Sequence, residues 1–387
     1  MNKSNIPTPD FSLFYQKTNI TADLEPYLLS ISYTDYLEGQ SDELSLEFTD
    51  PDGKWIRSWF PTQGDKLSLS LGYKGSPLVN LGDFEIDEIE YLYPSSQIHI
   101  RALSTGISKS YRTLKPKAYE NTTLAQVVAT IAKRMKLKVI GQIKPIPIVR
   151  VTQYQERDLE FLTRLARTYH HSFKIVGEQL VFTDKATFIE RQSVLTLEPE
   201  QIKTIRLRDR IRDTVKKVNV SGFDSNGKKV LKQSKEASIQ RQTIQQAAIS
   251  NGDTLNITTR GESQEQINAM TDAALAQQNE DRQAGTITLL GDPKLVAGNT
   301  LRLRKLGVFS GKYLITSSRH HLTRSSGFTT EIEVRMLEFI PDNIVEEKTS
   351  QPKNVKEIIK QTPHQPKTYQ QTMSALINLV GEKANAN

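Results

Sequence analysis

The sequence predicts an α+β protein that is mainly β, with a small α/β insert and a flexible C-terminal tail. Three observations carry this. Apolar and polar residues alternate between Tyr27 and Ala102, and strand-like patterning resumes near Thr204. Helical spacing takes over between these two regions, from Asn121 to Tyr169. Beyond Pro341 the chain turns to Glu, Lys, Gln, Asn and Pro, which offer little to bury.

The first region opens with Leu44, Leu46 and Phe48 spaced by two, with Ser45 and Glu47 between them. Leu67, Leu69 and Leu71 repeat the pattern, as do Ile98, Ile100 and Ala102. A period of two sends one set of side chains to a core and the other to solvent or a lumen. Turns are expected at Asp52-Gly53, Gly64-Asp65 and Gly72, spaced as in a sandwich or barrel. Within Asp83 to Tyr91 the apolar parity flips after Ile86, so one extra residue, a β-bulge, is expected near Asp87.

At Asn121 the period changes. Leu124, Val127, Val128, Ile131 and Met135 share one helix face, behind Thr123 and Gln126 in capping-box positions. A strand through Ile148, Arg150 and Thr152 leads to a second helix, which Asp158 is expected to cap. Its buried stripe is Leu159, Leu162, Leu165, Ala166 and Tyr169. A hairpin from Phe173 to Phe182 turns at Gly177-Glu178.

Later strands are expected around Val218, Val220, Ile287, Leu289, Leu301 and Leu303, and over Glu331 to Phe339. One helix interrupts them from Ser263 to about Gln283, opened by a capping box of Ser263 with Gln266. These patterns divide the chain at 1–110, 111–195, 196–340 and 341–387. The last segment is a flexible linker ending in a short amphipathic stretch. There Tyr369, Met373, Leu376, Ile377 and Val380 fall on one helix face and are the candidate partner-docking residues.

Composition bounds the function. The chain has 387 residues, enough for roughly two or three domains. A mean hydropathy of −0.48 and the lack of any apolar run near ~18 residues predict no membrane span. No secretory h-region is visible over Met1 to Asp10. With no cysteine, disulfides, thiol catalysis and cysteine-ligated zinc are excluded. A net charge of +7 permits an acidic partner without demanding one.

The sequence carries no recognisable catalytic constellation. There is no Gly-x-Ser-x-Gly elbow, Walker loop or Gly-x-Gly-x-x-Gly motif. His170-His171 and His320-His321 suggest metal ligands, but adjacent strand residues point to opposite faces, so hydrogen-bonded or surface histidines are the reading. Asp83, Glu85, Asp87, Glu88 and Glu90 could offer paired carboxylates for glycoside hydrolysis; a solvated strand face is preferred. Arg206, Arg208, Arg210 and Arg212 lie at period two on one strand face. A phosphate-tracking stripe would want interleaved aromatics, which are missing, so a solvated or subunit-facing strand is expected, partly neutralised by Asp209 and Asp213. No cofactor, metal or sequence-specific nucleic-acid contact is expected.

The order of several motifs resembles the phage late-control protein D family, the baseplate hubs of contractile tails. It runs from Ser41-Asp-Glu-Leu-Ser-Leu-Glu-Phe48 through Gly64 to Tyr73, Gly82 to Glu90 and Ile98 to Ala102. Leu114-Lys115 and Asn121-Thr-Thr-Leu124 follow. The most specific piece, Gln155 to Arg167, resembles the family's Glu-Ser-Asp-Leu-x-Phe-Leu-x-Arg-Leu signature, with Arg157 where Ser is usual. Gly291 to Gly298, Gly311-Lys-Tyr313 and Ser326 to Thr330 extend the similarity, which covers about Leu28 to Ile340.

That resemblance implies two tail-tube-like β-barrel domains flanking the insert, and a homotrimer whose six barrels match the six-fold tail tube above a three-fold central spike. The implied partners are the spike, the tail tube or its initiator, baseplate wedge proteins and the tape-measure protein. The implied place is the virion tail baseplate or a phage-derived particle, and the implied work is binding rather than catalysis. Hubs of tailocins and of type VI-like injection particles share the pattern, and a tail-associated peptidoglycan hydrolase is a further alternative. Because the chain stops at Asn387 without a needle domain, the spike is expected to be a separate protein. The arginines from Arg206 to Arg212 are expected off the channel wall, since each phosphate they held would add binding.

Overall fold

A computed structural model describes residues 7–104, 114–210, 212, 214–224, 227–237, 253–259, 263–325 and 327–342. Thirteen strands form one large sheet. Its main path runs Thr204–Asp209, Gln283–Leu290, Gly327–Phe339, Gly311–Thr323, Leu28–Tyr36, Glu43–Thr49, Gln97–Ser104, Val79–Leu92, Lys66–Tyr73, Pro9–Tyr15 and Thr18–Asn19. Ser193–Leu197 and Thr300–Leu303 branch from it beside Gly311–Thr323.

The alternation read from the sequence sets which face is buried. Leu44, Leu46, Phe48, Leu67, Leu69, Leu71, Ile98, Ile100 and Ala102 are all in the core of the first half. The bulge falls where parity demanded it, between Ile86 and Glu88, and restores Ile89 to a position opposite Ile100. Ile287, Leu289, Leu301 and Leu303 pack with Tyr313, Ile315, Ile332 and Val334 in a separate core for the second half.

The closed barrels expected from the resemblance are not seen as closed sheets among the described strands. The sheet does not close: its path ends at Thr204–Asp209 on one side and Thr18–Asn19 on the other. The two halves share it through one antiparallel seam, from Ser317 opposite Tyr36 to Thr323 opposite Ser30. A register shift between Ile315 and Ser317 makes this geometry available. Residues before the shift pair with Thr300–Leu303, and those after it pair with Leu28–Tyr36.

The inserted module is built as its periodicity implied. Helix Leu124–Arg134 starts at a reciprocal cap: Gln126 N–H donates to Thr123 Oγ1 at 3.3 Å, and Thr123 N–H donates to Gln126 Oε1 at 3.1 Å. It packs with helix Asp158–Thr168 around Val127, Val128, Ile131, Phe161, Leu162 and Leu165. The hairpin of His171–Val176 and Gln179–Asp184 turns through Gly177, whose φ of +55° is easy only for a residue without Cβ.

Asp158 does not cap its helix. It sits just inside the first turn, fully buried, and its carboxylate accepts from Arg134 and Gln153. The N-cap position is Arg157, and Glu160 reaches back to accept from its N–H at 2.9 Å. Arginine has no short oxygen to cap with, so only half of a capping box remains.

Three further features of the second half differ from the sequence reading. Val218 and Val220 lie on a strand, Lys217–Asp224, but it belongs to a three-stranded sheet apart from the large one, with Lys229–Glu236 and Thr254–Thr258. Helix Gln264–Asn279 covers that sheet, with Ile267 and Leu275 buried against Val218, Val220 and Leu231. The helix ends before Gln283, which already begins a strand. Ser263 caps it by accepting from Gln266 N–H at 3.2 Å, but the Gln266 side chain turns to the Tyr169 hydroxyl instead of completing the box. No helix among the described residues is long and apolar enough to cross a membrane.

Candidate functional site

A charge on an apolar strand face needs a buried partner. Asp35 shares the face of Ile31 and Tyr33 on Leu28–Tyr36 and is itself buried. Its partner comes from the inserted module: Lys174 Nζ lies 2.5 Å from Asp35 Oδ1 and 2.6 Å from Asp42 Oδ1. Asp35 Oδ2 accepts from Ala297 N–H at 2.8 Å, so both halves and the module meet at one group of side chains.

A second ionic cluster lies where helix Gln264–Asn279 ends. Glu280 is 3.1 Å from His170 Nε2, 2.8 Å from Arg335 Nη1 and 3.3 Å from Lys185 Nζ. Lys185 also reaches Glu38 at 2.6 Å. Burial alone would raise the Glu280 carboxyl, but the His170 bond and the Arg335 and Lys185 charges outweigh it and hold it at about 2. These two clusters fasten the inserted module to the sheet. Neither showed in the sequence, because ion pairs this far apart leave no local period; a charge in phase with an apolar strand face, such as Asp35, was the available signal.

His170, His171 and His320 are hydrogen-bonded rather than convergent. His171 accepts from Lys144 N–H at 3.2 Å through Nε2 and contacts the Tyr169 carbonyl through Nδ1 at 2.8 Å. His320 is fully buried between Thr330 Oγ1 at 2.9 Å and Ser318 Oγ at 3.2 Å. Burial lowers both rings to about 4. Among the described residues no three His, Asp or Glu side chains gather as a metal site.

The acidic strand is ion-paired across its face. Arg101 lies 2.8 Å from Glu43, 3.6 Å from Glu88 and 3.8 Å from Asp87. Asp83 accepts from Ser68, and Glu90 faces His99 at 3.8 Å. Such an arrangement solvates a strand and holds no carboxylate pair poised over a cleft.

Arg206 and Arg208 lie on the last strand of the large sheet, and both border an open cleft of about 560 Å³ with Glu38, Glu280 and Arg335. The neutralisation by Asp209 expected from the sequence does not occur. The Asp209 carboxylate instead takes Arg282 Nε at 3.1 Å and Gln283 Nε2 at 2.9 Å from the neighbouring strand. Asp213 lies outside the described residues, as do the candidate docking residues Tyr369, Met373, Leu376, Ile377 and Val380.

What these features define is a scaffold held together by buried ion pairs, and relatives place it. Residues 110–326 match the family described as Phage tail baseplate hub (GPD), and the chain belongs to that family. It is 36% identical over 176 residues to the probable baseplate hub protein of Escherichia phage 186, covering 45% of this chain and 44% of that one. It is 30% identical over 202 residues to the probable baseplate hub protein of Escherichia phage P2, covering 52% and 50%. The chain thus matches about half the length of these curated relatives. The fold is similar to the 43 kDa tail protein of prophage MuSo2 from Shewanella oneidensis, with a TM-score of 0.61 at 17% identity over 84% of this chain and 98% of that one. It is also similar to a tail protein from Neisseria meningitidis MC58, with a TM-score of 0.60 at 12% identity over 85% and 96%.

Proposed function

We propose that this protein is the structural hub of a contractile phage-tail baseplate, a homotrimeric ring joining the six-fold tail tube to a three-fold central spike. The observation that carries the reading is the hub-family match from residue 110 to 326, which spans the module and most of the second half. In this reading residues 1–110 and 196–340 act as two tube-like domains around the insert 111–195, and three subunits present six such domains. Their barrels would be completed between subunits. The large sheet supports this, because Thr204–Asp209 pairs on one side only among the described residues, and an open strand edge calls for a partner. A closed ring of identical subunits supplies one.

The proposed partners are the spike, the tail tube or its initiator, wedge proteins and the tape-measure protein; the work is binding, not catalysis. The segment carrying Tyr369, Met373, Leu376, Ile377 and Val380 is proposed to dock on another baseplate component. An epitope-tagged hub should label the baseplate end of purified tails, and disrupting its gene should abolish baseplate assembly. Intact tails from the disrupted strain would overturn the reading. Truncation after Ile344 should leave subunit stability intact and reduce particle yield; full yield would make the segment dispensable.

A further inference from the structure

Asp35, Asp42 and Lys174 line a cavity of about 440 Å³ between strand Leu28–Tyr36, strand His171–Val176 and the loop through Ala297. Side-chain exposure is 7% for each aspartate and 13% for Lys174, so water screens the group weakly. Asp42 is anchored by more than the lysine: its Oδ1 accepts from Tyr36 N–H at 3.1 Å, and its own N–H donates to Ser104 Oγ at 3.1 Å. It also lies within hydrogen-bond reach of Asp35.

The charge count is unbalanced. One ammonium faces two carboxylates, so full ionisation leaves a net negative charge in a poorly solvated place, whereas one shared proton makes the group neutral. The surrounding groups do not correct this. Tyr33 and Tyr36 on the same strand are held in their neutral hydroxyl forms by burial, and His320 across the seam is held neutral by burial too. On the cavity wall, the Arg191 guanidinium donates to the Gly298 carbonyl at 2.9 Å, and Lys294 is exposed to solvent.

We propose that Asp35, Asp42 and Lys174 form a proton-operated latch. The inserted module is held against the sheet while the carboxyl pair keeps one proton, and the hold weakens when both ionise. The electrostatics of Asp42 agree with this geometry: burial, then the Asp35 charge, push its carboxyl up to about 7 against the pull of Lys174. With the folded value above the ordinary 3.8, the latch contributes fully below that value. Its contribution declines as pH rises towards 7 and is then level. The Lys185–Glu38 pair remains as a second tie, so opening is local to one edge of the module.

Hydrogen exchange of the purified full chain, corrected for intrinsic rates, tests the latch directly. Amides of His171–Val176 should open on the order of tenfold more often at pH 8 than at pH 6, while Gln97–Ser104 stays level. Asp42→Asn keeps an acceptor for Tyr36 N–H but cannot ionise, so it should abolish this pH dependence and match or exceed wild-type protection at pH 8. Should that variant fold poorly, Asp35→Asn, which keeps an acceptor for Ala297 N–H, should flatten the dependence in the same way. A level wild-type profile, or an unchanged slope in both asparagine variants, would overturn the proposal.

Discussion

Tyr33 and His320 stand opposite each other across the seam that joins the two halves of the sheet, their rings 5.8 Å apart and 8° from parallel. Both are buried. Here a local stack secures a strand pairing between distant parts of the chain.

His320 makes the seam acid-sensitive. Burial holds its imidazole at about 4, below the ordinary 6.5, so the unfolded chain takes up the proton more readily. Stability is therefore lost as pH falls from 6.5 towards 4, by about 3 kcal/mol for this group. Thermal melts between pH 7 and 4.5 should show His320→Asn with a shallower acid slope than wild type. A residual slope is expected from His171, which burial lowers to the same range. Equal slopes would contradict the assignment.

Asp158 holds the two helices of the module to each other through Arg134, which bonds both of its carboxylate oxygens. Asp158→Ala strands a partly buried guanidinium and the buried Gln153 amide, and should cost about 2–3 kcal/mol in urea unfolding. Asp158→Asn, which keeps an acceptor for Gln153, should cost less. An alanine variant of wild-type stability would mean that the pair is not part of the module's core.

Gly285 lies opposite Leu207 on the edge strand Thr204–Asp209 and leaves no room for a Cβ. A Cβ at this position would overlap the Arg206 carbonyl oxygen and lie 2.9 Å from Leu207 Cα. Gly285→Ala should push Thr204–Asp209 away from the sheet, costing about 1–3 kcal/mol. Hydrogen exchange should speed up across Thr204–Asp209 and less elsewhere. Unchanged protection there would contradict the close approach.

Much of the fold was legible because it rests on local periods. The Leu44 and Leu67 alternations, the parity flip at Asp87 and the Thr123 cap each depend on residues a few positions apart. The seam does not: nothing in Leu28–Tyr36 names Gly311–Thr323 as its partner, and the bulge after Ile315 that divides the pairing is invisible to a period of two. Asp158 looked like a cap because a short acid before an apolar stripe has that use, yet Arg134 offered it a stronger bond. Val218 and Val220 were correctly strand residues, but alternation fixes a face and not the sheet to which a strand belongs. The ionic clusters around Asp35 and Glu280 required the tertiary fold to exist before their partners met.

The trimeric ring can be measured directly. Co-expressed with the spike protein and examined by light scattering after size exclusion, the hub should elute in a complex containing three copies or a multiple of three. A stable complex of one hub with one spike subunit would contradict the trimeric ring.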